Sequence, residues 1–202
     1  MMYSEITVEV LCDKKTLFRL LEERGFKKTD TLRSDDCYYT HVPITKSIGF
    51  RELISNSFII RSLTCNSFNS LFGGNKFRKN TFLVYKQKEF DISGKVISEQ
   101  KTMTEVKDKV VANNIFQQAG LINWCNKMTN GYGFTRGKQY LLIQDVENIG
   151  LFMEVEQFEY QKGTKDEILD ELVEFVNDLE IPVGDNYHES MAWRLFLLNN
   201  NL

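Results

Sequence analysis

The chain has 202 residues, 42% of them hydrophobic and 26% charged, with a formal net charge of −3. That length is enough for a substantial core, the composition excludes bulk disorder, and the acidic balance leaves no chain-wide basic footprint for nucleic acid. Four scattered cysteines without a CxxC pair argue against a zinc ribbon or a compact disulfide framework. No apolar run approaches the ~20 residues of a membrane helix. The opening Met1–Glu9 alternates and carries charge, unlike a signal peptide, so a cytoplasmic protein is expected.

Residues 5–11 alternate as a strand does, with Ile6, Val8 and Val10 on one face and Glu5, Thr7, Glu9 and Leu11 on the other. Asp13 then caps a helix with Leu17, Leu20 and Leu21 on its apolar stripe, stopped by Gly25. After a polar linker, Cys37–His41 reads as a short strand, and residues 42–57 as an irregular excursion. Strands are expected over 57–65, 81–88, 95–102 and 121–127, the last two separated by a helix capped by Thr104 and ending at Gly120. A Gly/Asn/Ser loop with Lys76, Arg78 and Lys79 at its end fills 66–80. Asn130-Gly131 and Arg136-Gly137 mark turns. Further strands follow at 139–144 and 151–158, then a helix opened by the capping box Thr164–Glu167, and a last helix over 187–198. With no repeat or dividing linker, one domain is expected. About eight strands at regular spacing predict an α+β fold, a closed or nearly closed antiparallel β-barrel with helices outside.

Single charges sit on these strands between apolar neighbours: Arg61 in SFIIRSL, Lys86 in FLVYKQK, and Glu154 and Glu156 in LFMEVEQF. A solvated face would carry such charges simply to keep an open sheet soluble. If they converge inside a barrel, each needs a partner or a ligand, because an isolated buried charge is very costly. Arg and Lys suit phosphate oxygens, whereas clustered carboxylates suit Mg²⁺ or Mn²⁺.

In order, these segments resemble the CYTH family, the triphosphate tunnel metalloenzymes. The resemblance rests on Thr7-Val8-Glu9-Val10-Leu11 for an ExExK strand, Phe58-Ile59-Ile60-Arg61 for LRIR, and Leu83-Val84-Tyr85-Lys86 for LTYK. It continues with Ile97-Ser98-Glu99 for RxE, Lys127-Met128-Thr129 for KxR, and Ile149–Glu156 for LGxFxExE, with Tyr187 near a closing SY motif. It implies an eight-stranded tunnel whose members hydrolyse inorganic, thiamine or nucleoside triphosphates, or cyclise ATP, with Mg²⁺ or Mn²⁺. It implies Glu9, Glu154 and Glu156 as metal ligands, with Glu5 and Asp145 as further candidates. Arg61, Lys86, Lys127 and Lys101 would bind phosphate, with Glu99 and Lys86 as catalytic residues. Thr7, Leu11, Ile59, Ile97, Thr129 and Gln144 stand where that family usually carries charge. The expected partner is a triphosphate or nucleotide, with neither nucleic acid nor membrane, and a homodimer is compatible with the sequence. The competing reading is a weakened tunnel that binds a nucleotide or polyphosphate as a sensor or adaptor.

His41 and His188 lie far apart and form no triad, with His188 expected on the surface of the last helix; Cys125 beside Trp124 reads as a packed core residue.

Overall fold

The computed structural model describes residues 4–45, 47–67, 78–90, 92, 96–188 and 190–200. Alternation produces the first strand, β1 (Glu5–Glu9), and Asp13 ends it by accepting from the Lys15 and Thr16 amides at the start of α1 (Lys14–Glu23). Gly25, at φ 81°, takes the left-handed turn out of that helix. The remaining elements are β2 (Lys27–Thr40), α2 (Phe50–Ile54), β3 (Asn56–Ser67), β4 (Arg78–Phe90), β5 (Val96–Val106) and α3 (Lys109–Gln118). Then follow β6 (Ile122–Arg136), β7 (Gln139–Val146), β8 (Gly150–Glu156), α4 (Lys165–Asp178) and α5 (Met191–Asn200).

All eight strands form one antiparallel sheet in the order β1-β8-β7-β6-β2-β3-β4-β5. The sheet curls into a half-barrel, the α+β architecture expected from the sequence. Its convex face carries Ile6, Val8, Ile143, Met153 and Val155, which pack against Leu17 and Leu21 of α1 and Leu172 and Val176 of α4. Farther round that face, α3 covers Ile60 and Tyr39 through Ala112 and Phe116. The other two helices sit at one end of the curl, where Met191, Leu195 and Phe196 of α5 and Leu53 and Ile54 of α2 meet Trp124, Val146 and Phe152. The outer edge of β1 is covered by the segment leading into α5. Leu11 donates to Pro182, Gly184 to Glu9, and Thr7 to Tyr187, all through the backbone.

Several boundaries differ from the sequence reading. β2 is a strand of 14 residues rather than a short one at Cys37–His41, because it bears polar residues on both faces and so resembled a linker. Asn130-Gly131 makes no turn; it lies within β6, opposite Arg33 and Leu32. Gly131 and Gly133 are there for closeness: a Cβ at Gly131 would sit 2.6 Å from Leu32 Cδ1, and one at Gly133 2.9 Å from Asp30 Oδ2. The helix α3 is capped by Asp108, whose carboxylate accepts from the Val110 and Val111 amides, while Thr104 belongs to β5. Residues 50–54 form a short helix, and the last helix begins at Met191. The loop carrying Lys76 and the side chains of Arg78 and Ile97 lie outside the described residues.

Candidate functional site

Alternation along each strand decides which side chains enter the curl. On the concave face, Glu5, Thr7, Gln144, Glu154 and Glu156 stand on one wall and Arg61, Lys86, Lys88 and Lys101 on the other, with Lys127 between, around a cavity of about 290 Å³.

The basic wall is held by one buried acid and one half-buried acid. Asp36, fully enclosed, accepts two hydrogen bonds from Arg61, Nε at 2.8 Å and Nη2 at 2.7 Å, and lies 3.8 Å from Lys127 Nζ. Burial disfavours its charge, but Arg61 and Lys127 outweigh that and hold the Asp36 carboxyl below the ordinary range. Lys127 is 5% exposed, and burial pulls its ammonium down despite Asp36. On β4 and β5, Glu99 bridges Lys86 at 2.8 Å and Lys88 at 2.9 Å. Against the cost of burial, those lysines hold Glu99 down at about 2. Burial lowers Lys86, yet Glu99 and Glu5 more than offset it. For Lys101, burial together with Lys86 and Arg61 outweighs the opposing effect of Glu5 and Glu156 and pushes its ammonium down.

Glu99 yields a pH prediction. Its folded pKa lies below the ordinary carboxylate value, so its contribution is complete above about pH 4.5 and disappears as pH falls toward 2. Replacing Glu99 by Gln is expected to remove at most about 3 kcal/mol of that acid-sensitive stability, read from urea midpoints between pH 2 and 6. Parallel wild-type and variant curves over that range would rule the assignment out.

The opposite wall has a different character. Carboxylate oxygens of Glu5, Glu154 and Glu156 all approach within 4.8 Å of one another. Half-buried Glu154 is pushed up to about 7 by burial and by Glu5, with Glu156 adding to the effect; burial and Glu5 also raise Glu156. Gln144 supplies a neutral donor, its Nε2 lying 2.6 Å from Glu154 Oε2. The three carboxylates thus repel one another, and Lys86, Lys101 and Lys127 across the cavity offset that only in part.

Glu9 stands apart from this group, since Arg194 of α5 grips both its oxygens, at 2.7 and 2.8 Å. Asp145 alternates to the convex side and pairs with Lys14 at 2.8 Å. Of the neutral replacements, Thr7, Ile59, Thr129 and Gln144 are buried, whereas Leu11 lies beyond the end of β1 and is 61% exposed. His188 is on no helix; it bridges to Thr7 and lines the cavity. Cys125 is buried, its thiol raised to about 12 mainly by desolvation.

Two site residues escaped the sequence reading. Asp36 was hidden by the linker-like look of β2, although its alternation with Ser34 and Tyr38 marks the face it shares. Lys88 follows Lys86 by two and was legible as the same face. The cavity also has an apolar floor, formed by Tyr38, Phe50, Ile54, Trp124 and Met191 where α2 and α5 close the curl. Trp124 is 7% exposed, and its indole N–H has no acceptor among the described residues, a deficit that typically costs about 1–3 kcal/mol.

No protein-family model and no curated protein matches the sequence. Solved structures do match. The PH1819 protein of Pyrococcus horikoshii OT3 superposes with a TM-score of 0.69 at 17% identity, over 98% of this chain and 99% of that one. A proposed adenylate cyclase from Vibrio parahaemolyticus gives 0.62 at 11% identity, over 95% of each chain. Another from Bacillus halodurans gives 0.53 at 12%, over 96% of this chain and 97% of that one. No helix among the described residues is long and apolar enough to cross a membrane. Sheet order, inward charges and these superpositions agree: the chain has a CYTH-like fold.

Proposed function

We propose that the tunnel binds a triphosphate together with a divalent cation and hydrolyses a phosphoanhydride bond. The observation that supports this most directly is the division of one cavity into a cationic wall and a wall of mutually repelling carboxylates. Glu5, Glu154 and Glu156 are hard oxygen donors within one ion's reach, and a cation relieves the repulsion that raises Glu154. They would hold Mg²⁺ or Mn²⁺, which when bound neutralises phosphate charge.

Arg61, Lys86, Lys101 and Lys127 bind non-bridging oxygens and align the chain for in-line attack by water. Asp36 fixes the guanidinium plane of Arg61. Glu99, with both oxygens committed to Lys86 and Lys88, positions these lysines rather than a water. Attack on the terminal phosphorus breaks its bridging P–O bond and releases orthophosphate. The buried neutral side chains Thr7 and Gln144 beside the carboxylates favour a second reading, binding without turnover in a sensor or adaptor.

The deciding assay measures orthophosphate from tripolyphosphate, ATP and thiamine triphosphate in Mg²⁺ or Mn²⁺, with cyclic AMP followed in parallel. Metal-dependent phosphate release, abolished by chelator and without cyclic AMP, is expected. Binding without release of any product would replace hydrolysis by the sensor reading.

A further inference from the structure

The two edges of the curled sheet differ. β1 forms one, and its outer backbone is already engaged by residues 182–187, through the Leu11–Pro182, Gly184–Glu9 and Thr7–Tyr187 hydrogen bonds. β5 forms the other, and no backbone hydrogen bond among the described residues reaches its outer side. Its pairing with β4 runs unbroken from Ser98 to Val106, and every residue from Gln100 to Glu105 is exposed. Edges of this length are usually guarded by a proline, a bulge or a covering segment, because unpaired amides and carbonyls template another strand. β5 carries no proline, and its one irregularity of register lies before Ser98. Met103, on the same face as Lys101 and 52% exposed, stands in the middle of the open stretch.

What the edge does carry is an ordered set of charges. Glu99, Lys101 and Glu105 share the tunnel face by alternation, and Lys107 follows just past the strand. A two-fold axis through Met103, perpendicular to the sheet, lays a second β5 antiparallel beside the first. Lys101 then faces the partner's Glu105, Glu99 faces the partner's Lys107, Thr102 faces the partner's Thr104, and the two Met103 side chains meet on the axis. Symmetry makes each charged pair twice. Moving the axis by one residue toward either end instead sets Glu99 against the partner's Glu105, or Lys101 against the partner's Lys107, like charges directly opposed. Of these three registers, only the one centred on Met103 is complementary. Glu105 is also presented for the contact, since Asn80 Nδ2 donates to one of its oxygens at 2.8 Å and leaves the other for a cation. Burial, Lys86 and Arg61 disfavour the charge on Lys101, and a carboxylate directly opposite relieves that.

We propose that the chain forms a two-fold homodimer by antiparallel pairing of β5 with β5 of a second copy, in the register centred on Met103. The two eight-stranded sheets become one continuous sheet, and the open edge is closed on both copies. The partner's Glu105 adds a carboxylate beside Lys101 at the open side of the tunnel. The assembly is independent of which ligand the tunnel takes.

The test is sedimentation equilibrium on the full chain and on two charge reversals, Lys101→Glu and Glu105→Lys. The wild type is expected to pass from monomer to dimer as concentration rises, with no larger species. Each reversal alone places like charges opposite one another twice, and is expected to weaken dimerisation about tenfold or more. An equimolar mixture of the two variants restores opposite charges at both positions, so a mixed dimer within about threefold of wild-type affinity is expected. A role confined to one chain cannot produce that rescue. Hydrogen exchange on the wild type serves should either variant fail to fold: amides within 99–106 are expected to gain protection as concentration rises, while those of α4 do not change. A wild type that stays monomeric up to about 1 mM overturns the proposal. So do folded variants that dimerise like the wild type, a mixture that shows no rescue, or a dimer whose added protection lies outside β5.

Discussion

Replacing Asp36 by alanine is expected to destabilise the protein by about 3–5 kcal/mol, the usual consequence of breaking a buried ion pair. Asp36 is 0% exposed, and it takes both hydrogen bonds from Arg61 while lying near Lys127. Without it, two cations face each other in a partly enclosed space and lose the acid that both pair with, leaving Glu154 across the cavity to offset them only in part. The loss should appear as a lower urea midpoint at unchanged slope. The double variant Asp36→Ala with Arg61→Met should recover part of that stability, because it removes the stranded guanidinium as well as its partner. A loss below about 1 kcal/mol for the single variant would show that the pair is not a support of the fold. Phosphate affinity should fall in the single variant too, since Arg61 loses the contact that orients its plane.

The second large effect is expected at Glu154. Glu154→Gln keeps the shape and removes the central charge of the carboxylate group, so metal-dependent phosphate release should drop by at least about 100-fold. Thermal shift gives a readout independent of turnover: Mn²⁺ should raise the melting temperature of the wild type and have little effect on Glu154→Gln. Glu9→Gln separates the ligand set implied by the ExExK resemblance from the one in the structure. Its Arg194 pair should be lost, while the Mn²⁺-induced shift persists. If Glu9→Gln abolishes the shift and Glu154→Gln does not, the metal lies elsewhere.

Much of the fold was legible along the chain because its elements are locally encoded. Asp13, Thr164 and Glu167 announce two helices through caps that need only neighbouring amides. Ile6, Val8 and Val10 show a buried strand face through spacing alone. The reading failed where a strand has polar residues on both faces. β2 is such a case: Asp30, Ser34 and Asp36 face the tunnel while Arg33 and Asp35 alternate away, so no apolar stripe exposes the element. Gly131 misled for a related reason, being a turn former by composition but placed in β6 for close packing.

By itself the sequence determined the strand count, the inward alternation of Arg61, Lys86, Glu154 and Glu156, and the family whose tunnel they resemble. The strands and the alternation follow from period-two geometry, which local order fully contains, whereas the resemblance rests on the order of motifs along the chain. Only the tertiary structure decided which charges meet. Glu9 and Glu5 share one face of the same strand, yet α5 delivers Arg194 to the first and the β8 register delivers Glu154 and Glu156 to the second. Asp36 acquires its role only because β3 and β6 flank β2 and bring Arg61 and Lys127 to it. Charge pairing depends on distance in space between segments far apart in the chain, and spacing along one strand does not contain that information.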